Sequence, residues 1–136
     1  MSTIGVLGAG TWGMALSRML ANSGHKVEVW SALPTEIEEL QLTHKQKNLP
    51  DMEIPLSIKF TKSIEKVCTN KDVLLFAVPS IFVRKTAKCA CQYIPDGQII
   101  VDVAKGIETD TLLTLTNVIR EELNRDGVHG NVKLVA

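Results

Sequence analysis

Three glycines fall within six residues, Gly8-Ala9-Gly10-Thr11-Trp12-Gly13, after the apolar run Ile4-Gly5-Val6-Leu7 and before the helix-like stretch Met14-Ala15-Leu16-Ser17-Arg18-Met19-Leu20. A G-x-G-x-x-G pattern constrains little by itself. Between a strand and a helix it is the fingerprint of a dinucleotide-binding turn. Each glycine then has its own reason. Gly8 permits the tight turn, Gly10 lets backbone approach a pyrophosphate, and Gly13 lets the helix pack close to the strand. Phosphates would lie over free N–H groups at a helix N-terminus, where aligned peptide dipoles favour negative charge. A Gly-rich strand-to-helix turn without a ligand would need the same glycines only for the backbone.

A chain of 136 residues fits one domain with a core of its own. Its 15 Lys and Arg balance its 15 Asp and Glu, so the formal charge is zero with neutral histidines. That argues against a nucleic-acid partner or an anionic membrane held by bulk electrostatics. No apolar run approaches the ~20 residues that span a bilayer. Met1-Ser2-Thr3 lead straight into a strand, so no signal peptide is expected. Cys68, Cys89 and Cys91 are odd in number and lack a C-x-x-C pair. They read as reduced thiols of a cytoplasmic protein, and no metal site is expected.

Strand-like and helical segments alternate. After the first strand and a helix over residues 11–22, with Ala15, Leu16, Met19 and Leu20 expected on its buried face, Gly24 supplies a helix stop. Val27-Glu28-Val29-Trp30 reads as a second strand, with His25 in the turn before it, and Pro34-Thr35 opens a short helix over 36–42. Residues 43–57 hold Pro50 and Pro55 and read as an ordered surface loop. A short strand at 58–61 and a short helix at 62–69 come next. Val73-Leu74-Leu75-Phe76-Ala77-Val78 is a continuous apolar run, as suits a parallel strand covered on both faces. A helix from Ser80 to about Tyr93, a strand over 99–104, a helix over 109–123 carrying Leu112, Leu115, Ile119 and Leu123 on one side, and a strand over 132–136 complete the series. The alternation implies an α/β fold: a Rossmann-like, doubly wound, mostly parallel sheet with helices on both faces, formed by residues 1–136 as one dinucleotide-binding domain.

Ligands of such sheets bind beyond the strands' carboxyl ends, where strand order reverses. The Gly loop, Val78-Pro79-Ser80 and Ala104-Lys105-Gly106 all follow strand ends, so they should converge on one crevice. Lys105 there would put an ammonium over a phosphate or a carbonyl developing negative charge. Pro79-Ser80 would either shape the turn under a nicotinamide or merely start a helix. Arg84, one turn after Ser80, would face either the crevice or solvent. At the end of the second strand an acid would hold a ribose 2′-hydroxyl and an arginine would favour a 2′-phosphate. This chain has Trp30-Ser31-Ala32-Leu33, with Glu36 and Glu38 only on the next helix. Ser31 could bond either group, so discrimination between NAD and NADP is expected to stay within roughly tenfold. No nucleophile–base pair, H-E-x-x-H or Walker lysine is present, and His44 and His129 read as surface residues.

Taken together, G-A-G-T-W-G, Leu49-Pro50 followed by Ile54-Pro55, Ala77-Val78-Pro79-Ser80 with Arg84, and Lys105-Gly106-Ile107-Glu108 resemble the bacterial type of NAD(P)-dependent glycerol-3-phosphate dehydrogenase, in order and spacing along essentially the whole chain. The resemblance implies a parent enzyme that interconverts dihydroxyacetone phosphate and glycerol 3-phosphate. It places Thr11 and Trp12 at cofactor-binding positions and makes Lys105 a contact of both substrate and cofactor. Gly8, Gly10, Thr11, Trp12, Gly13, Ser31, Pro79 and Lys105 are thus the expected cofactor site, for NAD or NADP, with Lys105 also the substrate contact.

Two local departures stand out. Ala32-Leu33 replaces the His-Arg type of pair the family often carries after the second strand, and Asn48 replaces the tyrosine of its Tyr-Leu-Pro loop. The family also continues into an α-helical substrate domain with the catalytic lysine. By that resemblance no catalytic residue is expected among these 136, and the fragment should bind cofactor without turnover. A homodimer stays open for the full-length protein. The competing readings are a related two-domain reductase, of the ketopantoate or 6-phosphogluconate kind, and a non-catalytic dinucleotide-sensing module.

Overall fold

The computed structural model describes residues 1–125 and 127–136. Six parallel strands form one sheet: β1 (Thr3–Leu7), β2 (Lys26–Trp30), β3 (Lys59–Thr61), β4 (Val73–Phe76), β5 (Ile99–Asp102) and β6 (Lys133–Val135). Their order is β3-β2-β1-β4-β5-β6, so the direction of winding reverses between β1 and β4. This is the doubly wound arrangement expected from the alternation of elements.

The sheet is covered on both sides because each central strand is apolar on both faces. Ile4 and Val6 of β1, Val27 and Val29 of β2 and Leu75 of β4 share one buried cluster with Met14, Ile37 and Leu40. These last three come from α1 (Thr11–Asn22) and α2 (Pro34–Thr43). On the other face, Leu7, Leu74, Phe76 and Ile100 pack with Val67, Val83, Ala87, Ile119 and Leu123. That layer is α3 (Ile64–Cys68), α4 (Val83–Ala90) and α5 (Leu115–Asn124).

Helix α1 ends as its sequence dictates. Gly24 adopts φ +94°, its N–H donates to Ala21 O at 3.0 Å, and His25 N–H donates to Leu20 O at 3.1 Å. These paired bonds make a Schellman motif, which satisfies carbonyls the helix leaves open. The buried face of α1 differs from the expected one. Gly13, Met14 and Ser17 are buried, while Met19 is 55 % exposed. The cause is Gly13: a Cβ there would fall inside the contact distance of Gly8 O. The helix therefore rests closely on Gly13, Met14 and Ser17, with Leu16 and Leu20 partly buried at the margin of the cluster and Met19 turned outward. Ser17 Oγ, buried by this approach, donates to Gly13 O at 2.7 Å.

Three other segments differ from their sequence reading. The strand read over 73–78 is shorter: β4 ends at Phe76, where Ala77 N–H makes a last bond to Leu7 O at 2.8 Å and the Ala77 backbone lies against Gly8. The segment 80–93 is not one helix: 3-10 turns at Ser80–Phe82 and Cys91–Tyr93 flank α4. Residues 109–114 are a closed turn rather than helix. Leu112 has φ +60° and is 71 % exposed, and α5 starts only after Thr114, whose side chain accepts from Asn117 N–H. Ile107 and Thr114 pair antiparallel across that turn.

His129 is buried rather than on the surface, its ring nitrogens 2.6 Å from Ile94 O and 3.1 Å from Leu123 O. His44 is only half-buried, edge-on to the Phe60 ring at 5.5 Å. Among the described residues no helix is long and apolar enough to cross a membrane, and no group of three or more His, Cys, Asp or Glu could hold a metal.

Replacing Gly13 with Ala should destabilise the fold by about 1–3 kcal/mol, the usual range for forcing a methyl into a filled contact. Urea unfolding measures it. An unchanged midpoint would show that α1 can shift without cost.

Candidate functional site

The carboxyl ends of β1, β4 and β5 open into one crevice of about 400 Å³. Gly10, Thr11, Trp12, Pro79 and Lys105 line it, with the backbone turns around Ala77-Val78 and Val103-Ala104 between them. The three motifs that follow strand ends in the sequence therefore do meet. Gly8, Gly13 and Ser31 are placed differently: both glycines are buried beneath the loop, and Ser31 sits just past the end of β2.

The three glycines are needed for different things. Gly8 has φ +128°, and a Cβ there would lie 2.6 Å from Ala77 C and O. Backbone conformation and packing both demand glycine at this point. Gly13 is demanded by the helix contact described above. A Cβ at Gly10, in contrast, meets nothing within 4 Å. Nothing in the fold occupies the space that a side chain at Gly10 would fill, so the backbone there borders open crevice. Gly10 is also the N-cap of α1, and no side chain caps that helix. The first-turn N–H groups have no partner within the helix, and they point where an anion is favoured.

Across the crevice, Lys105 Nζ stands 5.9 Å from the centre of the Trp12 ring, within reach of a cation–π attraction. Both side chains are exposed, so the attraction is weak and both remain available to a ligand. The backbone that carries Lys105 is held from below. Asp102, at the end of β5, accepts from Ala104 N–H at 3.0 Å and from Thr116 Oγ at 3.3 Å. Burial raises the pKa of this carboxyl, and the two donors act against that rise.

Arg84 faces neither the crevice nor open solvent. Its guanidinium clamps Glu108, the last residue of Lys105-Gly106-Ile107-Glu108, through two parallel bonds of 2.7 Å. It also reaches Glu122 at 3.1 Å. Forked pairing of this kind adds geometry as well as energy. Thr111 Oγ donates to the same Glu108 carboxylate at 2.6 Å. Arg84 therefore ties α4 and α5 to the turn beyond Lys105. The Arg84 clamp, followed by Thr111, lowers the Glu108 pKa from 4.5 to about 2. Arg84 was visible in the sequence, but its partner lies 24 positions away, and only the packing of α4 against α5 brings the two together. Asp102 had no visible signal beyond an acid at a strand's end.

Comparison with known proteins gives the same picture. The family described as NAD-dependent glycerol-3-phosphate dehydrogenase N-terminus matches residues 3–132. The chain belongs to this family. A glycerol-3-phosphate dehydrogenase of the NAD(P)+ type from Lactobacillus delbrueckii subsp. bulgaricus is 71 % identical over 136 residues, all of this chain and 40 % of the relative. One from Agathobacter rectalis is 49 % identical over 124 residues, 90 % of this chain and 37 % of the relative. The crystal structure of glycerol-3-phosphate dehydrogenase from Coxiella burnetii superposes with a TM-score of 0.86 at 27 % identity, covering 98 % of this chain and 40 % of that one. The chain thus spans about two-fifths of the length of the relatives it matches. In this glycerol-3-phosphate dehydrogenase domain, the crevice lies at the strand-order reversal between β1 and β4.

The Glu108 shift has a consequence for acid stability. A carboxyl whose folded pKa lies below its unfolded one stabilises the fold above the unfolded pKa, and the stabilisation is lost as pH falls through the folded value. For Glu108 that window runs from 4.5 down to about 2. Glu108→Gln should therefore make stability less dependent on pH across this window while lowering it at neutral pH. Thermal melts at several pH values test this, and parallel pH profiles for both proteins would refute it.

Proposed function

We propose that this chain is the cofactor-binding part of a cytoplasmic enzyme that interconverts glycerol 3-phosphate and dihydroxyacetone phosphate with NAD or NADP. The observation that carries the reading is the contrast between Gly10 and its two neighbours: Gly8 and Gly13 are required by packing, whereas Gly10 borders only open crevice. Family membership supplies the reaction class.

In this reading the dinucleotide's pyrophosphate rests on the backbone at Gly10-Thr11, over the uncapped N-terminus of α1. The peptide dipoles and first-turn N–H groups there stabilise its negative charge. Trp12 and Pro79 supply flat apolar walls that orient the nicotinamide ring and exclude water beside it. A bound nicotinamide dinucleotide supplies the hydride chemistry at its own ring carbon; the protein orients and polarises. Lys105, carried on a rigid strand exit, extends its ammonium over the same space. It binds the phosphorylated substrate and stabilises negative charge on the substrate oxygen at C2. Arg84, Glu108 and Asp102 act on Lys105 indirectly, by holding the turn.

Two experiments test the reading. Gly10→Val should weaken NAD(H) and NADP(H) binding at least tenfold, ~1.4 kcal/mol, without changing the melting temperature, because the side chain enters crevice and not core. Calorimetric titration of both proteins decides, and unchanged affinity would refute the pyrophosphate placement. Lys105→Ala should lower kcat/KM about 10²-fold, ~2.7 kcal/mol. The assay uses this chain joined to the remaining part of its Lactobacillus relative. Undiminished turnover of dihydroxyacetone phosphate would leave Lys105 as a solvated loop residue.

A further inference from the structure

NAD and NADP differ by one phosphate on the adenosine ribose, so the choice between them is made where that ribose lies. In an open parallel sheet this is the carboxyl end of the second strand. Here β2 ends at Trp30, and Gly8 N–H donates to Trp30 O at 2.8 Å, so the residues just beyond β2 flank the Gly loop. Ser31-Ala32-Leu33 offer neither an acid nor an arginine. The fold nevertheless returns a carboxylate to the spot. Helix α2 begins at Pro34, and Glu36 stands in its first turn. Ser31 Oγ donates to Glu36 Oε1 at 2.7 Å. The same hydroxyl accepts from Leu33 N–H at 3.1 Å, and Ser31 is 7 % exposed. The serine hydroxyl is thus engaged as donor and acceptor. It works as a bracket that holds the Glu36 carboxylate beside the end of β2, with Glu36 itself only half-buried. The first turn of a helix is also where a negative charge is favoured.

We propose that Glu36, braced by Ser31, sets the preference of this chain for NAD over NADP. The proposal rests on the dinucleotide reading above. Glu36 Oε2 would accept from a ribose hydroxyl of NAD. The 2′-phosphate of NADP carries between one and two negative charges and would meet a like charge at close range, with no arginine to offset it. Lys45 and Lys47 line a groove of about 80 Å³ together with Leu33, Glu36 and Glu39, and they are the cations with which Glu36 must compete. The expectation of weak discrimination follows from Ser31-Ala32-Leu33 in isolation. The contact between positions 31 and 36 exists only once α2 has folded back on the strand end.

The test is titration of the chain with NADH and with NADPH, in wild type, Glu36→Gln and Ser31→Ala, with thermal melts to confirm that each variant is folded. Wild type should bind NADH at least tenfold more tightly, ~1.4 kcal/mol. Glu36→Gln should bring the two affinities within about threefold, chiefly by tightening NADPH. Ser31→Ala, which removes the brace and keeps the charge, should leave NADH the tighter ligand. The wild-type ratio should also narrow as salt is raised, because the repulsion acts at a partly exposed site. Equal binding of both cofactors by wild type, or a ratio unmoved by Glu36→Gln, overturns the role of Glu36 and leaves the dinucleotide site standing. A preference for NADPH that Lys45→Ala or Lys47→Ala abolishes overturns it in favour of the lysines. Failure of wild type to bind either cofactor overturns the dinucleotide reading and this proposal with it.

Discussion

Gly8 is the point at which the domain is pinned. Its N–H bonds Trp30 O at 2.8 Å, its α-carbon lies against the backbone of Ala77, and its carbonyl oxygen lies under Gly13. One residue thus joins the end of β2, the exit of β4 and the first turn of α1. Any larger residue would be strained at φ +128° and would also strike Ala77. Non-glycine residues held in such backbone regions cost ~1–3 kcal/mol before any clash is counted. Because these three elements are locked together here, the uncapped helix end, the crevice and the carboxyl end of β2 occupy fixed positions relative to one another.

The crevice itself is assembled from exposed parts on a buried frame. Trp12 and Lys105 are open to solvent, yet each leaves an element that is tightly held. For Trp12 the support is the Gly8–Gly13 packing. For Lys105 it is polar: Asp102 gathers Ala104 N–H and the Thr116 hydroxyl, and Arg84 clamps Glu108 while reaching Glu122, which is 3 % exposed. Polar support is the appropriate kind at a turn. In the loop after Lys105, Leu113 packs against the core while Ile107 and Leu112 stay exposed, so hydrogen bonds supply much of the order of the turn.

Legibility from the sequence depended on the range of the interaction that decides each feature. The order of strands and helices followed from local patterns, and so did the helix stop at Gly24 and the meeting of the three strand-end motifs. Errors arose where a distant contact overrode the pattern. Met19 fits the apolar period of α1, yet it is exposed, because the close approach at Gly13 centres the buried face on Gly13, Met14 and Ser17. Leu112 fits the period of α5, yet it caps a turn closed by the pairing of Ile107 with Thr114. His129 carries no sign in sequence of the Ile94 carbonyl 35 positions earlier that it packs against. Arg84 gave two plausible directions and took a third, set by Glu108 and Glu122.

The chain's own order of residues therefore determined its parallel, doubly wound class and the place where a dinucleotide-type turn must form. Those features rest on short-range rules: apolar period, glycine spacing, and caps. The tertiary structure alone decided which of the fingerprint glycines serve packing and which one faces open space. It alone decided between crevice and solvent for Arg84, by clamping it on Glu108, and set the Glu36 carboxylate against Ser31. These features depend on where separate elements come to rest against each other. That is governed by the close approach of backbones at Gly8 and Gly13, and its consequences for side chains elsewhere cannot be read from neighbours along the chain.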